Sequence, residues 1–504
     1  MKILLVNPPC GPRTIGMRHI ARIEPLGLEL VGAGVSGEHD VRLVDMFVRP
    51  ADLLRTLKKF TPDVVGVTTE CVRMEPALEV LRQIRKLVPG CLTVIGGHHP
   101  TMYPEEFYDP ALDVIVLNEG VEAFREICQT RAGGGTRFDH IRGLMIRTPD
   151  GLVATEPRPL PPDLDSQPFP DRRLTARYRK RYFFLTEPSA AAMRTAYGCR
   201  HNCTFCPGTL YFKRHLVVRD PRLMFEEIST IKEPFIQFCD NGTFHDPEKM
   251  QALGEMLIKA GIKKRYYAYT RADVITRNPE LMELWARAGL SIVFIGLEAC
   301  DDESLRRMNK GSGVMQNEEA LRVLDELGIS VTAGFVIDPA ATKEDFRTMR
   351  RYINRHRPIL HAEFTPLTPF KGTRFYEQQK DNVVTHDWQL YDLQHFVVKT
   401  LLPPKVLYRY IFHSYRRIVR RVIFKEQLWR PVKALQWRNL KLIYGLVRNA
   451  IALRRAHRHI PWVPLEPSGK PKTPGAAATK ETACPDGSPQ PRDAERAEAE
   501  KQLV

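Results

Sequence analysis

The sequence predicts an α/β protein with two consecutive strand–helix arrays and a basic helical region after them. Three observations support this class: short apolar strands alternate with helical stretches in residues 1–145, the alternation resumes in residues 190–370, and basic helical patterns follow in residues 371–462. Alternating strands and helices favour parallel sheets, because each crossover helix returns the chain to the same edge. A length of 504 residues, 43% of them hydrophobic, suffices for two or three domains.

The first array, residues 1–145, is predicted to form a doubly wound sheet. Its five strands are expected at Lys2–Val6, Val41–Asp45, Val64–Thr68, Leu92–Ile95 and Val114–Leu117. Ligands of such sheets bind at the carboxyl ends of the strands, where glycines let the backbone approach a bulky molecule. The candidate binding residues in those loops are Thr68, Thr69, Gly96, Gly97, His98, Glu119 and Gly120.

Two further segments are set apart by composition. Residues 146–189 are predicted to be a linker, because six prolines between Glu156 and Pro170 stiffen the chain. Residues 463–504 consist mainly of Pro, Gly, Ala, Ser and charged residues, and we expect them to be disordered.

Three closely spaced cysteines are the strongest chemical signal in the chain. Cys199, Cys203 and Cys206 form a C-x3-C-x2-C pattern, Phe205 directly precedes the third, and no fourth cysteine lies nearby. Zinc sites and ferredoxin clusters normally have four protein ligands. Three thiolates suit a [4Fe–4S] cluster with one iron open to a substrate or cofactor. The alternative is a structural zinc site with His201 as the fourth ligand.

This motif resembles the C-x3-C-x-aromatic-C signature of the radical S-adenosylmethionine (SAM) enzymes. The resemblance implies a partial (β/α)6 barrel in residues 190–370, with the cysteine loop after the first strand. Barrel active sites form at the carboxyl ends of the strands. The predicted strands are Ala192–Ala196, Phe235–Cys239, Arg265–Thr270, Ile292–Leu297, Val331–Ile337 and His361–Thr365.

Polar residues at those strand ends are predicted to bind SAM, which carries a cationic amino group and an anionic carboxylate. A glutamate and an arginine there can bind the two groups with charge-assisted hydrogen bonds. For each residue the alternative is an ordinary salt bridge at the barrel mouth, and no catalytic residue is assigned. The predicted SAM-binding residues are Phe205, Asp240, Arg271, Gly296 and Glu298.

Residues 1–145 resemble the cobalamin-binding domain of the B12-dependent radical SAM class. The similarity rests on Asn7-Pro8-Pro9, on the loop Gly96–Thr101 and on Glu119-Gly120 before a helix. It implies that the candidate loop residues bind cobalamin. The D-x-H-x-x-G motif is absent, so a base-off form without a histidine lower ligand is expected. The alternative is an α/β module that has lost its cofactor.

The domain order, together with Trp388–His395 after the barrel, looks most like the hopanoid C-3 methylase group. This resemblance implies methylation of an unactivated carbon of an apolar polycyclic lipid, with a [4Fe–4S] cluster, SAM and cobalamin as cofactors. It also implies a reductase, ferredoxin or flavodoxin as electron donor. Two alternatives stay open: an anaerobic oxidative cyclase of porphyrin side chains, whose product gains no methyl group, and an RNA-modifying radical SAM enzyme.

The positive charge is concentrated near the C-terminus. Leu401–Trp462 contains 15 Lys or Arg and one acidic residue, Glu426, so this segment carries +14 of the net +16. Helices are predicted at Val406–Lys425 and Leu435–Ala456. In the first of them, basic residues share one face and apolar residues the other: Arg409, His413, Arg416, Arg417, Arg420 and Arg421 against Leu407, Ile411, Tyr415, Ile418, Val419 and Val422.

Three interpretations of this basic region remain open. The helices could pack on the enzyme with a solvated cationic face, lie on an anionic membrane surface, or bind RNA. No run of 18 apolar residues predicts a membrane-spanning helix, and the N-terminal apolar run is too short for a signal peptide. An oxygen-sensitive cluster needs a reducing compartment. We therefore expect a cytoplasmic enzyme, which is peripheral on the inner face of the cell membrane in the second interpretation. A nucleic acid partner is the least favoured of the three, because the sequence predicts no separate RNA-binding barrel domain.

Overall fold

Two large sheets, one mostly parallel and one entirely parallel, have helices packed against them, which confirms the predicted α/β class. The computed structural model describes residues 1–16, 20–185, 187–427 and 437–465. For residues 416–427, 437–443 and 446 it describes the backbone only.

The first sheet has seven strands, and the five that were predicted are parallel. Its strands are β1 (Lys2–Asn7), β2 (Asp40–Asp45), β3 (Val64–Thr68), β4 (Leu92–Gly96), β5 (Val114–Val116), β6 (Leu144–Thr148) and β7 (Gly151–Ala154). Their spatial order is β2-β1-β3-β4-β5-β6-β7. The winding direction therefore reverses between β1 and β3, and ligands bind at such a switch point beside the carboxyl ends of the strands.

Helices cover both faces of this sheet. They are α1 (Leu26–Ala33), α2 (Asp52–Leu57), α3 (Met74–Leu87), α4 (His98–Met102) and α5 (Gly120–Ala132). Val6 and Leu81 belong to the apolar core on one face, whereas Leu5 and Phe124 belong to the core on the other. Strands buried on both faces are apolar at consecutive positions, which explains the runs that identify them in the sequence.

The first sheet extends beyond the predicted boundary at residue 145. Strands β6 and β7 form an antiparallel hairpin, and β6 pairs with β5. Residues 146–154 therefore belong to the sheet, and their assignment to the linker is wrong. The hairpin contributes to both cores, because Met145 and Leu152 pack on one face and Ile146 packs on the other.

The rest of the predicted linker is also fixed to folded elements. Phe183–Phe184 pairs with Ala21–Arg22 as a short antiparallel ladder. Arg172 donates hydrogen bonds to Glu24 at 2.6 Å and to Glu227 at 2.9 Å, and both carboxylates are buried. Burying these carboxylates is tolerated because a cation pairs with them.

The second sheet consists of six parallel strands in sequential order. They are β8 (Ala190–Met193), β9 (Phe235–Phe238), β10 (Arg265–Thr270), β11 (Leu290–Glu298), β12 (Ser330–Ile337) and β13 (Ile359–Pro366). The first strand ends earlier than predicted, because Asp240 accepts hydrogen bonds from the backbone amides of Thr195 and Ala196 and draws them out of the sheet. Ala196–Gly198 instead pairs antiparallel with Leu216–Val218.

Helices connect these strands and follow the last of them. They are α6 (Gly208–Phe212), α7 (Pro221–Thr230), α8 (Pro247–Lys259), α9 (Ala272–Arg277), α10 (Pro279–Ala288), α11 (Asp302–Arg307), α12 (Val314–Glu326), α13 (Lys343–Arg355) and α14 (Arg374–Gln379). Alternate strand residues, such as Ile236, Val293 and Phe364, lie in the core beneath the helices. The intervening residues face the inside of the curved sheet, which we call the lumen.

The two predicted C-terminal helices are present as α15 (Pro404–Gln427) and α16 (Trp437–Ala456). Leu407 and Ile411 are buried in the barrel core, whereas Arg409 and His413 are exposed. As far as Tyr415, the apolar face of α15 is therefore packed on the enzyme. The side chains from Arg416 to Val422, and the predicted disordered residues after 465, lie outside the described part. None of the described helices is long and apolar enough to cross a membrane.

Candidate functional site

The cysteine loop begins beside the carboxyl end of β9. Asp240, which is buried two residues after β9, accepts hydrogen bonds from Thr195 N at 2.8 Å, Thr195 Oγ1 at 2.5 Å and Ala196 N at 3.0 Å. Both carboxylate oxygens are thus used to position the start of the loop. A direct contact of Asp240 with SAM stays a prediction.

The loop is also held at its centre by segments that follow later barrel strands. Thr204 N donates to the carbonyl of Met308 at 3.0 Å, and Phe375 N donates to the carbonyl of Thr204 at 3.0 Å. Asn309 Nδ2 donates to the carbonyl of Asn202 at 2.7 Å. The loop therefore has a defined backbone course at the barrel mouth.

The three cysteines of this loop are partly exposed and form no disulfide. Burial raises the pKa of Cys199 and raises the pKa of Cys206 to about 11, so a bound metal must displace thiol protons. Phe205 is half-buried between Cys203 and Cys206. Thiolates are the ligands of iron–sulfur clusters, and three of them on one accessible loop fit such a cluster.

The zinc alternative depends on His201. Its ring packs 5.4 Å from the ring of His245, and burial lowers the pKa of each to about 4. Among the described residues, no three His, Cys, Asp or Glu side chains converge on a single-ion site.

Two buried ion pairs lie at the carboxyl end of the barrel. Arg271 Nε donates to Asp273 at 2.8 Å, and Lys310 Nζ donates to Glu298 at 2.6 Å. Arg271 also donates to the carbonyl of Lys310 at 2.5 Å, so the two pairs form one network. The structure therefore connects the predicted residues Arg271 and Glu298 through Lys310, which is not among the predicted site residues. Such a mixture of carboxylate and cationic groups complements an amino acid zwitterion.

Gly296 and Glu298 each have a local geometry that is unusual for a β-strand residue. A Cβ at Gly296 would overlap the Glu298 carboxylate and lie 2.8 Å from Lys310 Nζ, so glycine makes room for the ion pair. Glu298 has a φ of 63°, a conformation that costs energy for a residue with a side chain and is concentrated at functional sites.

In the first domain, the loops after β3 and β4 touch through their backbones. Thr69 N donates to the carbonyl of Gly96 at 2.9 Å. Gly97 has a φ of 118°, and a Cβ there would overlap the Thr69 carbonyl and lie 3.3 Å from Thr68 Oγ1. Only glycine adopts this positive φ without strain and also avoids the overlap with Thr69. Gly120 begins α5 at the end of the neighbouring loop. These loops lie at the carboxyl ends of the strands, where a bulky ligand can come close to the backbone.

These loops face the cysteine loop. The ring of His98 packs edge-on against Tyr211 at 4.5 Å, and Tyr211 Oη donates to the carbonyl of Asn118 at 3.2 Å. Arg194 donates to the Glu119 carboxylate at 2.8 Å. Arg194 and Tyr211 flank the cysteine loop, so the two predicted cofactor sites are adjacent. Neither is among the predicted site residues; their only sequence signal is proximity to the cysteine motif.

Comparison with known families agrees with this two-part site. Residues 20–128 match the B12 binding domain, and residues 193–353 match the Radical SAM superfamily. The chain is 31% identical over 409 residues to a hopanoid C-3 methylase of Methylococcus capsulatus, covering 80% of this chain and 77% of that protein. The chain belongs to the cobalamin-dependent radical SAM enzymes.

A second relative in sequence and a solved structure share this domain architecture. An anaerobic magnesium-protoporphyrin IX monomethyl ester cyclase of Cereibacter sphaeroides is 28% identical over 453 residues, covering 85% of this chain and 72% of that protein. The structure of the cobalamin-dependent radical enzyme OxsB with aqua-cobalamin and SAM superposes with a TM-score of 0.67 at 18% identity, covering 90% of this chain and 71% of that one. The latter similarity concerns the fold.

The protein is a cobalamin-dependent radical SAM enzyme related to methyltransferases, and its cofactors are a [4Fe–4S] cluster, SAM and cobalamin. When bound, these groups supply radical chemistry and a transferable methyl group, while the protein positions them and excludes competing reactions. The expected class of enzyme and its cofactors are thereby confirmed. The zinc interpretation of the cysteines and the loss of cofactor from the first domain are both disfavoured by the family.

Proposed function

We propose that this enzyme methylates C-3 of a hopanoid, an apolar polycyclic lipid. The observation that carries this proposal is the 31% identity to the Methylococcus protein over 80% of this chain, which includes both domains. The lumen supports it, because Tyr269 and Phe294 present aromatic rings on its inner side, with centroids 5.3 Å apart. Aromatic walls suit an apolar ring system.

The site residues divide into three proposed groups. Cys199, Cys203 and Cys206 hold the cluster. The network of Arg271 and Glu298, completed by Lys310, orients the amino acid part of SAM, with Phe205 and Gly296 beside it. The loops that contain Thr68, Thr69, Gly96, Gly97, His98, Glu119 and Gly120 hold cobalamin against the barrel mouth. The contacts of Arg194 and Tyr211 support this arrangement, because they join the first domain to the cysteine loop.

A second candidate function is oxidative cyclisation of a porphyrin side chain. It is favoured by the 28% identity to the Cereibacter cyclase over 85% of this chain. The two functions differ in the product, since methylation adds one methyl group and cyclisation adds none. Purified enzyme should be loaded anaerobically with its three cofactors and a chemical reductant, then offered either a hopanoid or a magnesium-porphyrin monomethyl ester. A methylated hopanoid supports the first function, whereas a new porphyrin ring without methyl gain supports the second.

We also propose that the enzyme lies on an anionic membrane surface through α16. Tyr444, Val447 and Ile451 are 62%, 50% and 44% exposed, and their spacing of three and four residues forms one stripe. The exposed side chains of Arg448 and Arg455 lie on the same helix. An apolar stripe beside arginines suits the interface of an anionic bilayer. The apolar face of α15 is unavailable for this role as far as it is described, because it packs on the barrel.

Serine at Tyr444, Val447 and Ile451 together should weaken flotation with anionic vesicles about tenfold or more, because three apolar side chains lose their burial in lipid. A matched control is the triple serine variant of Leu54, Leu87 and Val153, which are about equally exposed on the first domain. Binding of the wild type should also fall with salt, since the Debye length drops from about 10 Å at 0.1 M to about 3 Å at 1 M. Equal flotation of the two triple variants would reject this surface.

A further inference from the structure

A carboxyl group inside the barrel has no role in the site described so far. On β13, Ala362 and Phe364 pack in the core beneath the helices, so the intervening residues His361, Glu363 and Thr365 face the lumen. Glu363 is partly exposed there. Its position on the sixth barrel strand puts it on the same inner surface as Gly296 of β11, which belongs to the proposed SAM site.

The carboxyl group of Glu363 makes no hydrogen bond or ion pair with any residue that the structure describes. The titratable groups that face it are the phenols of Tyr267 and Tyr269 on β10 and of Tyr415 on α15. Burial raises the pKa of Glu363 to about 7, and no cation among the described side chains opposes this rise. A carboxylate that has lost most of its contact with solvent and has no partner in the protein is unfavourable, and such a group suggests a ligand.

The hydrogen bonds of the neighbouring Tyr269 and Tyr415 phenols are formed with groups other than Glu363. Tyr269 Oη accepts a hydrogen bond from Gln237 Nε2 at 2.9 Å, and Tyr415 Oη accepts one from Phe364 N at 3.4 Å. The other end of the Gln237 amide, Oε1, is buried without a partner. The lumen therefore presents two unpartnered acceptors, the Gln237 oxygen and the Glu363 carboxylate. A molecule that fills it should bring a hydrogen-bond donor.

Small residues lie beside Glu363 on the inner surface of the sheet. Gly334 of β12 lies directly opposite Glu363 in the strand register, and Gly296 lies opposite Gly334 on the next strand. The ring of Phe294 lies against Gly334, because a Cβ there would come within 2.7 Å of it. The Glu298–Lys310 ion pair lies in the same way against Gly296. The inner surface beside Glu363 thus presents an aromatic ring on the side that leads to the proposed SAM site.

We propose that Glu363 binds the substrate in the lumen by accepting a hydrogen bond from a substrate hydroxyl group, and that the enzyme thereby selects hydroxylated polycyclic lipids over hydrocarbons of the same skeleton. This inference rests on the proposed function and narrows its substrate class. A site built to bind a hydroxyl group rejects the analogue that lacks it, because the buried acceptor is then left unpaired.

The direct test is equilibrium binding of two probes, a hopanoid alcohol and the hopanoid hydrocarbon of the same skeleton. The cofactor-loaded enzyme is used without reductant, so that no turnover occurs. The wild type should bind the alcohol about tenfold more tightly or better, as expected for a hydrogen bond to a charged group. Glu363→Leu should lose this preference while binding the hydrocarbon normally, and Glu363→Gln should retain part of it. Affinity for SAM should be equal in all three proteins.

An unchanged preference in Glu363→Leu would overturn the proposal. A loss of SAM affinity with the preference intact would also overturn it, since Glu363 would then serve SAM. If the wild type binds neither hopanoid, the proposed hopanoid substrate is rejected. The proposed preference for a hydroxylated hopanoid is then rejected as well.

Thermal unfolding of the ligand-free protein tests independently whether the Glu363 carboxyl group lacks a partner. A glutamate in the unfolded chain has a pKa of about 4.3, below the folded value of about 7. Between these values the unfolded state releases a proton that the folded state keeps, so the wild type loses stability as pH rises. The Tm advantage of Glu363→Gln should therefore grow from pH 4.5 to pH 7 and stay constant above it. A pH-independent difference would mean that Glu363 is compensated, which contradicts the proposal.

Discussion

Alanine at any one of Cys199, Cys203 and Cys206 is expected to abolish both the visible absorption of the iron–sulfur cluster and the cleavage of SAM to 5′-deoxyadenosine. The loop contributes only three thiols, so the loss of one leaves two protein ligands for a cluster that normally has three or four. The expected loss of SAM cleavage is complete. Anaerobic reconstitution followed by absorption spectroscopy and product chromatography measures both effects.

Cys300→Ala provides the matched control for this experiment. Cys300 is also partly exposed, but it packs against the barrel core, and burial raises the pKa of its thiol to about 12. That variant should form the cluster and cleave SAM normally. If the triple alanine variant of the loop cysteines still produced 5′-deoxyadenosine, the assignment of the cluster to this loop would be wrong.

Valine at Gly97 is expected to eliminate cobalamin uptake while leaving the cluster intact. A side chain there would overlap the Thr69 carbonyl, and a φ of 118° is strained for any residue with a Cβ. The loops after β3 and β4 would have to separate, which changes the surface proposed to receive the cofactor. Spectra taken after anaerobic incubation with cobalamin would show the loss directly.

Gly90→Val is the appropriate comparison, because Gly90 lies in the same domain with open space around the position of its Cβ. We expect that variant to take up cobalamin like the wild type. Normal uptake by Gly97→Val would show that cobalamin binds elsewhere or that the loop adapts to the added side chain.

The sequence predicts the parallel strands well, because they are short apolar runs with distinct ends. Val64–Thr68 and Arg265–Thr270 agree residue for residue with the structure. The sequence does not predict the hairpin of β6 and β7. These strands lie at the edge of the sheet, so they have fewer consecutive apolar residues than a central strand. The early end of β8 is missed as well, because the carboxylate of Asp240, over 40 residues away in sequence, competes for its amides.

The candidate site shows the same division between local and long-range information. The cysteine spacing is local and can be read directly. Lys310, in contrast, reaches Glu298 from a turn after α11, and Arg194 reaches Glu119 across the two domains. Such pairings depend on tertiary structure. An amphipathic pattern likewise predicts α15 but cannot distinguish a helix packed on the barrel from one that lies on lipid.

The central claim is that this enzyme requires both SAM and cobalamin to add a methyl group to a carbon of its substrate. The most direct measurement uses SAM labelled in its methyl group, the anaerobically reconstituted enzyme, a chemical reductant and a hydroxylated hopanoid, with and without added cobalamin. We predict one labelled methyl group per product molecule, 5′-deoxyadenosine formed alongside it, and no labelled product when cobalamin is omitted. Formation of 5′-deoxyadenosine in the complete reaction with an unlabelled, oxidised or cyclised product would contradict the claim.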